Sequence, residues 1–430
     1  MTTLAYALAL ALLFVWSLPG TIALRWLLLL VALMVLGVAL ARQDWRRIGR
    51  AAGLPGLLVA GLTLWLFGHA AWLAAEPAWS LDELHGQWLP ALLALVLGMM
   101  LAARVARPAT TIVLVFAVQA AIAVGHSVWH WFVHGELLTR LVPLTGGKLE
   151  MSFVLNLLLA FVMVDLFCRF SRRAPLLRLP LAGVVGILLL ALTGSLLAGA
   201  RNGIIDILFL FFSAVFLFAY DQRQRLGPLR TLATATAIIA TLAAFVTISY
   251  RADPRWQSFT ETAAIAWDID HHSTWLDTSR LPWPKLSDGR DVEASAYTRI
   301  AFIHGGLRLI AEHPLGYGYG RNTFAHALQQ QYPEASLGHA HSGWIDLGVG
   351  GGVPALLLWG GLLANLMWRG WRVFFRGHNA HGLLLFFLAT SYAGRMALDS
   401  VNKDHMLQIF LFLIGILLVA TAPGRADNTT

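Results

Sequence analysis

The stretch IALRWLLLLVALMVLGVALA, residues 22–41, carries a single charged side chain, that of Arg25. An α-helix needs roughly 20 mainly apolar residues to cross the hydrocarbon core of a bilayer, and it satisfies its own backbone hydrogen bonds there. The stretch therefore predicts a membrane-spanning helix.

The composition extends this prediction to the whole chain. Of 430 residues, 58% are apolar and 13% are charged, and the mean hydropathy is +0.66. Soluble domains are roughly one quarter charged, so an ordinary soluble domain is excluded, and so is a disordered or collagen-like chain. The lone cysteine, Cys168, excludes an intramolecular disulfide framework. We expect an all-α fold, a polytopic bundle of about twelve membrane-spanning helices, near residues 3–18, 22–41, 54–75, 88–105, 109–130, 150–169, 180–199, 203–220, 229–249, 343–368, 380–397 and 405–422.

Basic residues alternate between the two sides of this bundle. If the N-terminus is cytoplasmic, 17 basic residues fall on the cytoplasmic side and only 6 in the short loops opposite. This bias predicts that both termini are cytoplasmic. It also accounts for the net charge of +8 without nucleic acid as a partner.

One long segment, 250–340, interrupts the spans and predicts a subdomain on the outer side. We therefore divide the chain into residues 1–249, with nine spans, 250–340, and 341–430, with three spans and a cytoplasmic tail. The segment begins with turn-forming residues, such as Asp253-Pro254. Apolar residues at 300, 303, 307 and 310 then predict one face of an amphipathic helix that ends before Pro314.

Two histidines stand where this segment re-enters the membrane, in Gly338-His339-Ala340-His341-Ser342. A neutral imidazole at the lipid–water boundary is suited to accept a proton near pH 7, which makes His341 a candidate general base and His339 a candidate substrate ligand. The residues alone leave two alternatives open, a metal site and a pair of interfacial histidines beside Trp344.

Five arginines on the same side are candidates for binding an anionic group. Arg201 follows small residues on a tight turn before a span, and Arg299 lies on the predicted amphipathic helix. Their planar guanidinium groups can bind a diphosphate, although an interfacial anchor is the alternative for Arg201. Arg308 has Glu312 at i+4 and is expected to pair with it. Weaker candidates in loops are Arg290 and Arg321.

Other polar residues have simpler interpretations. Residues His126, His130 and His134 share one helix face, which predicts packing against neighbouring helices or, alternatively, metal or head-group binding. Asp399 is an extra carboxylate whose expected partner is Arg395 at i−4.

The motifs from Arg299 to Gly352 resemble the core pattern of the O-antigen ligase and O-antigen polymerase superfamily. The elements are Glu312-His-Pro-Leu-Gly-x-Gly-x-Gly320 with Phe324, and His339-x-His341-Ser342, which nine intervening residues separate from Gly352. The turn Gly199-Ala200-Arg201 resembles the family's Gly-Ser-Arg element, with alanine in place of serine. Twelve spans with one large periplasmic loop also resemble the ligase topology.

This resemblance implies a glycosyltransferase of the Gram-negative inner membrane. Such enzymes transfer glycan from an undecaprenyl-diphosphate carrier to an acceptor at the periplasmic face, without a metal or other cofactor. The partners implied are the carrier-linked glycan, the lipid A–core oligosaccharide and membrane lipids. His341 would deprotonate the acceptor hydroxyl, and Arg201 and Arg299 would hold the leaving diphosphate, so that the anomeric carbon is inverted.

Two other functions remain open at this stage. The first is an O-antigen polymerase, whose acceptor is another carrier-linked repeat. The second, from a different class, is a flippase or other transporter of lipid-linked oligosaccharides. A transporter is expected to carry polar residues through the membrane midplane, whereas the ionisable residues here collect at the outer ends of the spans.

Overall fold

The computed structural model describes residues 1–136, 138, 144–252 and 258–422, with only some of the side chains in 201–252. The described residues are mostly helical and contain no strand, so the predicted all-α class is confirmed. In chain order the helices are α1 (Thr2–Val15), α2 (Ile22–Ala39), α3 (Arg42–Trp72), α4 (Pro77–Glu83), α5 (Leu89–Arg104), α6 (Ala109–His134), α7 (Lys148–Phe170), α8 (Leu181–Ala198), α9 (Arg201–Ala252), α10 (Phe259–Trp267), α11 (Ala294–Glu312), α12 (Thr323–Gln331), α13 (Gly343–Gly377), α14 (Ala380–Leu398) and α15 (Asp404–Ala420).

The described part of the chain contains seven helices that are long and apolar enough to cross a membrane. Two apolar helices, α1 and α15, are shorter. The chain is thus a multi-pass membrane protein. Each of the twelve predicted spans coincides with helical residues, and the eighth and ninth are the two halves of α9, which is interrupted at Gly227. The number of spans that cross the bilayer stays a prediction.

Glycines allow two helix pairs to approach closely. At Gly98 of α5 and Gly415 of α15, an added Cβ would overlap the backbone of the facing helix. Gly370 of α13 and Gly382 of α14 face each other in the same way. A Cβ added at Gly370 would lie 2.6 Å from the carbonyl oxygen of Gly382, and one added at Gly382 would lie 2.8 Å from that of Gly370. Small residues stabilise helix pairs in membranes in this way, because the backbones can come into van der Waals contact.

Helix α13 is interrupted at Gly352, where φ is +71°. Pro354 follows and has no N–H to donate to the preceding turn. The carbonyl oxygens freed there accept hydrogen bonds from the backbone N–H groups of Tyr317 and Gly318, at 2.8 and 2.9 Å, and from Trp65 Nε1 at 2.7 Å. The turn between α11 and α12 therefore supplies hydrogen-bond donors to carbonyl groups that the interrupted helix leaves without intrahelical partners.

The described residues of segment 258–340 have a hydrophobic cluster of their own, which includes Trp275, Phe302 and Phe324 and extends to Ile345 of α13. The predicted amphipathic helix is confirmed as α11. Three residues of its predicted apolar face, Ile300, Ile303 and Ile310, pack against this cluster, whereas the fourth, Leu307, does not. Leu307 is 46% exposed, while Ala301 and Leu309 are buried. The boundaries at 249/250 and 340/341 stay predictions.

Candidate active site

His341 lies in the connector that leads into α13, with a left-handed backbone at φ +53°. Its half-buried ring is parallel to the Phe302 ring of α11, with centroids 6.1 Å apart, and lies 4.4 Å from the His339 ring. A non-glycine residue at positive φ is uncommon and must be held by its surroundings. The sequence motif therefore forms a compact pair of imidazoles at the start of a membrane helix.

Both imidazoles are held in the neutral form. Burial, together with the positive charge of Arg299, lowers the pKa of His341 below its usual value of 6.5, and the Asp399 carboxylate opposes this shift. Burial and the charge of Lys403 lower the pKa of His339 to about 3. Each ring is thus unprotonated near pH 7.

Hydrogen bonds to α13, to α14 and to the connector between α14 and α15 fix the backbone on either side of His341. The N–H of Ala340 donates to Asp346 Oδ1 at 2.9 Å, and the Ser400 hydroxyl donates to the other oxygen of this carboxylate. The Ser342 hydroxyl donates to the Met396 carbonyl at 3.1 Å. These bonds explain how the strained conformation of His341 persists.

Arg299 lies one turn before Phe302 on α11 and is half-buried. Its charge acts on His341, and it forms no ion pair with a carboxylate in the described residues. The structure therefore brings together Arg299 and His341, which the sequence analysis selected from residues 42 positions apart.

Arg201 is the first residue of α9, and its side chain lies outside the described residues. The backbone nearby is informative, because Gly203 packs closely against Ser152 of α7. Ser152 accepts a hydrogen bond of 3.1 Å from Arg395, whose guanidinium lies 3.6 Å from Asp399. Since the carbonyl of Asp399 accepts from Gly343 N at 3.1 Å, the start of α9 and the His341 connector belong to the same end of the bundle.

The other three candidate arginines are paired with carboxylates. Arg290 binds Asp288 at 2.6 Å on the surface. Arg308 does not pair with Glu312 as expected, since its two Nη atoms bind Asp270 at 2.7 and 2.8 Å. Arg321 lies 3.3 Å from Glu83 and 3.4 Å from Asp404 and lines a cavity. Their roles in substrate binding stay predictions.

The sequence analysis missed a buried polar network next to the site. Asp206 of α9 accepts hydrogen bonds from Asn156 at 2.7 Å and from Ser391 at 2.9 Å, and Arg395 is only 2% exposed. The expected pair of Arg395 with Asp399 is confirmed. Asp206 and Asp346 could have been selected from the sequence, because each is a carboxylate within a predicted apolar span.

The row of histidines on α6 is separate from this site. His130 and His134 lie with ring centroids 4.4 Å apart, and His130 Nδ1 is 3.0 Å from the carbonyl of Glu136. The His130 ring thus binds a carbonyl group just beyond the end of α6. None of the contacts of His341 named here involves these histidines.

Comparison with known proteins adds one finding. No curated protein matches the chain. Residues 186–360 match a family model described as O-antigen ligase, and this range includes Arg201, Arg299 and His341. Such a family implies a membrane glycosyltransferase of the O-antigen ligase and polymerase type that uses lipid-linked glycans. Residues 186–360, which belong to the helical membrane fold, are therefore similar to the O-antigen ligase family.

Proposed function

We propose that the protein is an O-antigen ligase of the Gram-negative inner membrane. It transfers glycan from undecaprenyl diphosphate to a hydroxyl group of the lipid A–core oligosaccharide at the periplasmic face. The family match over residues 186–360 supports the reaction class. The charge bias of the loops supports cytoplasmic termini and a periplasmic site.

The reaction is a direct displacement. A nitrogen of the His341 ring takes the proton of the acceptor hydroxyl, and the acceptor oxygen forms a bond to the anomeric carbon of the glycan. The bond from that carbon to the diphosphate oxygen breaks, so the diphosphate leaves with the electron pair and the configuration inverts. The proton then passes from the imidazole to solvent or to the leaving group.

The observation that carries the proposal is the environment of His341. A general base must be unprotonated before the reaction, and burial together with Arg299 lowers the pKa of this imidazole. Its left-handed backbone and the hydrogen bonds beside it hold the ring in one orientation. General base catalysis of this kind contributes roughly 10²–10⁴-fold to a rate.

Arg299 and Arg201 are assigned to the leaving diphosphate. A diphosphate needs more than one cation, and guanidinium groups bind phosphate oxygens through two parallel N–H bonds. The lack of an ion pair for Arg299 among the described residues supports this role, because its charge is available to a ligand. For Arg201 the support is its position at the start of α9 and its family motif.

The test compares two histidines that share a left-handed backbone. His341→Asn and His378→Asn are made in the purified, reconstituted protein, since His378 also has positive φ, +54°, but follows the opposite end of α13. Asparagine tolerates this conformation, so both variants are expected to fold. We expect transfer from carrier-linked glycan to lipid A–core to fall roughly 10²–10⁴-fold in the first variant and to persist in the second. Full turnover by His341→Asn would remove it as the base.

The acceptor supplied decides between the ligase and its nearest alternative. Product on lipid A–core supports the ligase, whereas extension of a carrier-linked repeat alone would make the protein a polymerase. Product formed by the purified protein, with no second protein present, is inconsistent with a transporter.

A further inference from the structure

The connector between α14 and α15, residues 399–403, forms one wall of a cavity next to the histidine pair. The side chains around this cavity share polar or aromatic character, and they come from distant parts of the chain. Its lining consists of Gln87, Tyr319, Gly320, Arg321, Asp346, Asn402 and Lys403.

Four residues at the rim form a closed network. Arg321 contacts both Glu83, at 3.3 Å, and Asp404, at 3.4 Å. Gln87 donates to Glu83 at 3.1 Å and accepts from the backbone N–H of Asp404 at 2.8 Å. The carboxylates of Glu83 and Asp404 are therefore already engaged by Arg321.

Lys403 is left out of this network. It is half-buried, lines the cavity, and forms no ion pair with any carboxylate that the structure describes. The remaining carboxylate in the lining, Asp346, accepts from Ala340 and from Ser400. Lys403 is thus a cation in a cavity whose acidic groups are bound elsewhere, which is the condition under which a cation binds an external anion.

The backbone at this point adds to the positive potential. Lys403 is the N-cap of α15, and the first residue of that helix, Asp404, has a strained φ of +50°. Helix N-termini carry a partial positive charge, and strained backbone is concentrated at functional sites. Both features belong to the adjacent residues Lys403 and Asp404, and Lys403 lines the cavity.

The two cations that act on the histidine pair belong to different elements, Arg299 to α11 and Lys403 to the connector between α14 and α15. Arg299 affects His341, whereas Lys403 affects both rings and is the main charged neighbour of His339. In a direct displacement the nucleophile and the leaving group lie on opposite sides of the anomeric carbon. If Arg299 holds the leaving diphosphate, the cavity lined by Lys403, which does not include Arg299, is available to the acceptor.

We propose that Lys403 and its cavity form an acceptor subsite that binds an anionic substituent, a phosphate or carboxylate, on the acceptor glycan. The assignment of this anion to the acceptor rests on the proposed function, because only a transferase has one. In this view Lys403 positions the acceptor, while His341 takes the proton.

The experiment compares Lys403→Gln with Lys403→Arg and with the matched control Lys285→Gln. Lys285 lies on an exposed loop, 2.7 Å from Asp291, and contacts neither histidine. Two lipid A–core acceptors are used, one intact and one whose phosphates are removed and whose carboxylates are esterified. Transfer kinetics are measured with the reconstituted protein, and acceptor binding is measured without donor.

We expect Lys403→Gln to raise KM for the intact acceptor about tenfold, with little change in kcat or in the donor KM. The modified acceptor should bind equally to the variant and the natural protein, and Lys403→Arg should restore most of the loss. A rise in donor KM instead would assign Lys403 to the diphosphate and overturn the proposal, as would an equal loss for both acceptors or no loss. If the natural protein transfers glycan to neither acceptor, the proposed function fails, and the donor-free binding measurement still decides whether Lys403 recognises the anion.

Discussion

His341 is protonated only at a pH below the usual range of imidazole, because burial and the Arg299 guanidinium disfavour its charged form. The proposed base is active when neutral, so activity is fully present above that range and is lost as the pH falls through the lowered pKa. We expect kcat/KM of the natural protein to be constant near pH 7 and to fall only below about pH 6.5.

Removal of Arg299 tests this interpretation. In Arg299→Gln the repulsion between two cations is gone, so the pKa of His341 rises and the acid limb of the profile moves to higher pH. The absolute rate falls as well, since the same residue is assigned to the diphosphate, but the position of the limb is independent of that loss. The pH dependence of kcat/KM is recorded from about pH 5 to 8. If its acid limb stays at the same pH in Arg299→Gln, the proposed effect of Arg299 on the pKa of His341 is contradicted.

At the scale of single residues, the residues that could be identified from the sequence are those that belong to local motifs. His341 and Arg299 stand in recognisable patterns, and the structure brings them together. Lys403 was counted only as a basic residue of a short loop, since its significance depends on Glu83, Gln87 and Arg321 binding one another across more than 200 positions. No periodicity or spacing carries that information.

At the scale of elements, a substitution at Gly352 tests whether the interruption of α13 and its hydrogen bonds to the turn between α11 and α12 stabilise the fold. In Gly352→Ala, a side chain would be placed at φ +71° and would overlap the backbone of Pro314 and Leu315. We expect a loss of about 1–3 kcal/mol in the free energy of unfolding, together with loss of transfer activity. Thermal unfolding in detergent measures the first effect.

The control is Gly186→Ala on the exposed side of α8. Its added methyl group meets no atom within 4 Å, and its φ is not positive. Alanine is the better helix former by about 1 kcal/mol, so this variant is expected to be as stable as the natural protein or slightly more stable. Equal stability of both variants would show that the interruption does not depend on Gly352.

The elements also show where sequence periodicity fails. The helix α11 and most of its buried face are predictable from the apolar spacing, but the burial of its small residues is not. Small residues such as Ala301 and Gly305 lie on the buried face, where a Cβ added at Gly305 would come within 3.1 Å of the Trp275 ring. A hydropathy pattern ranks a large residue such as Leu307 above them, although close approach favours the small ones.

At the scale of the whole molecule, the orientation in the membrane is the prediction to test. The buried Cys168 is the only cysteine, so a new surface cysteine can be labelled with little background. Glu334→Cys and Arg46→Cys both introduce an exposed thiol, on the long loop and on a predicted cytoplasmic loop. We expect a membrane-impermeant maleimide to label residue 334 in cells with a permeabilised outer membrane, and residue 46 only after the inner membrane is disrupted. The reverse pattern would place the histidine pair in the cytoplasm.

The positions of the helices could be predicted because membrane spans are encoded locally, in runs of apolar residues. The relation between them could not, since it depends on contacts such as Gly98 with Phe412, which join distant helices through backbone atoms. The twelve predicted spans thus coincide with helices, while their packing follows from the structure alone.

The interruption at Gly352 also has a mechanical consequence. It divides α13 into two helical rods that meet at Gly352. The shorter rod is hydrogen-bonded to the turn at Tyr317 and Gly318. The longer rod packs along α3 and α14. We expect a change in bilayer thickness to tilt the longer rod about Gly352, while the hydrogen bonds at Tyr317 and Gly318 hold the shorter rod, and with it the connector of His339 and His341, in place.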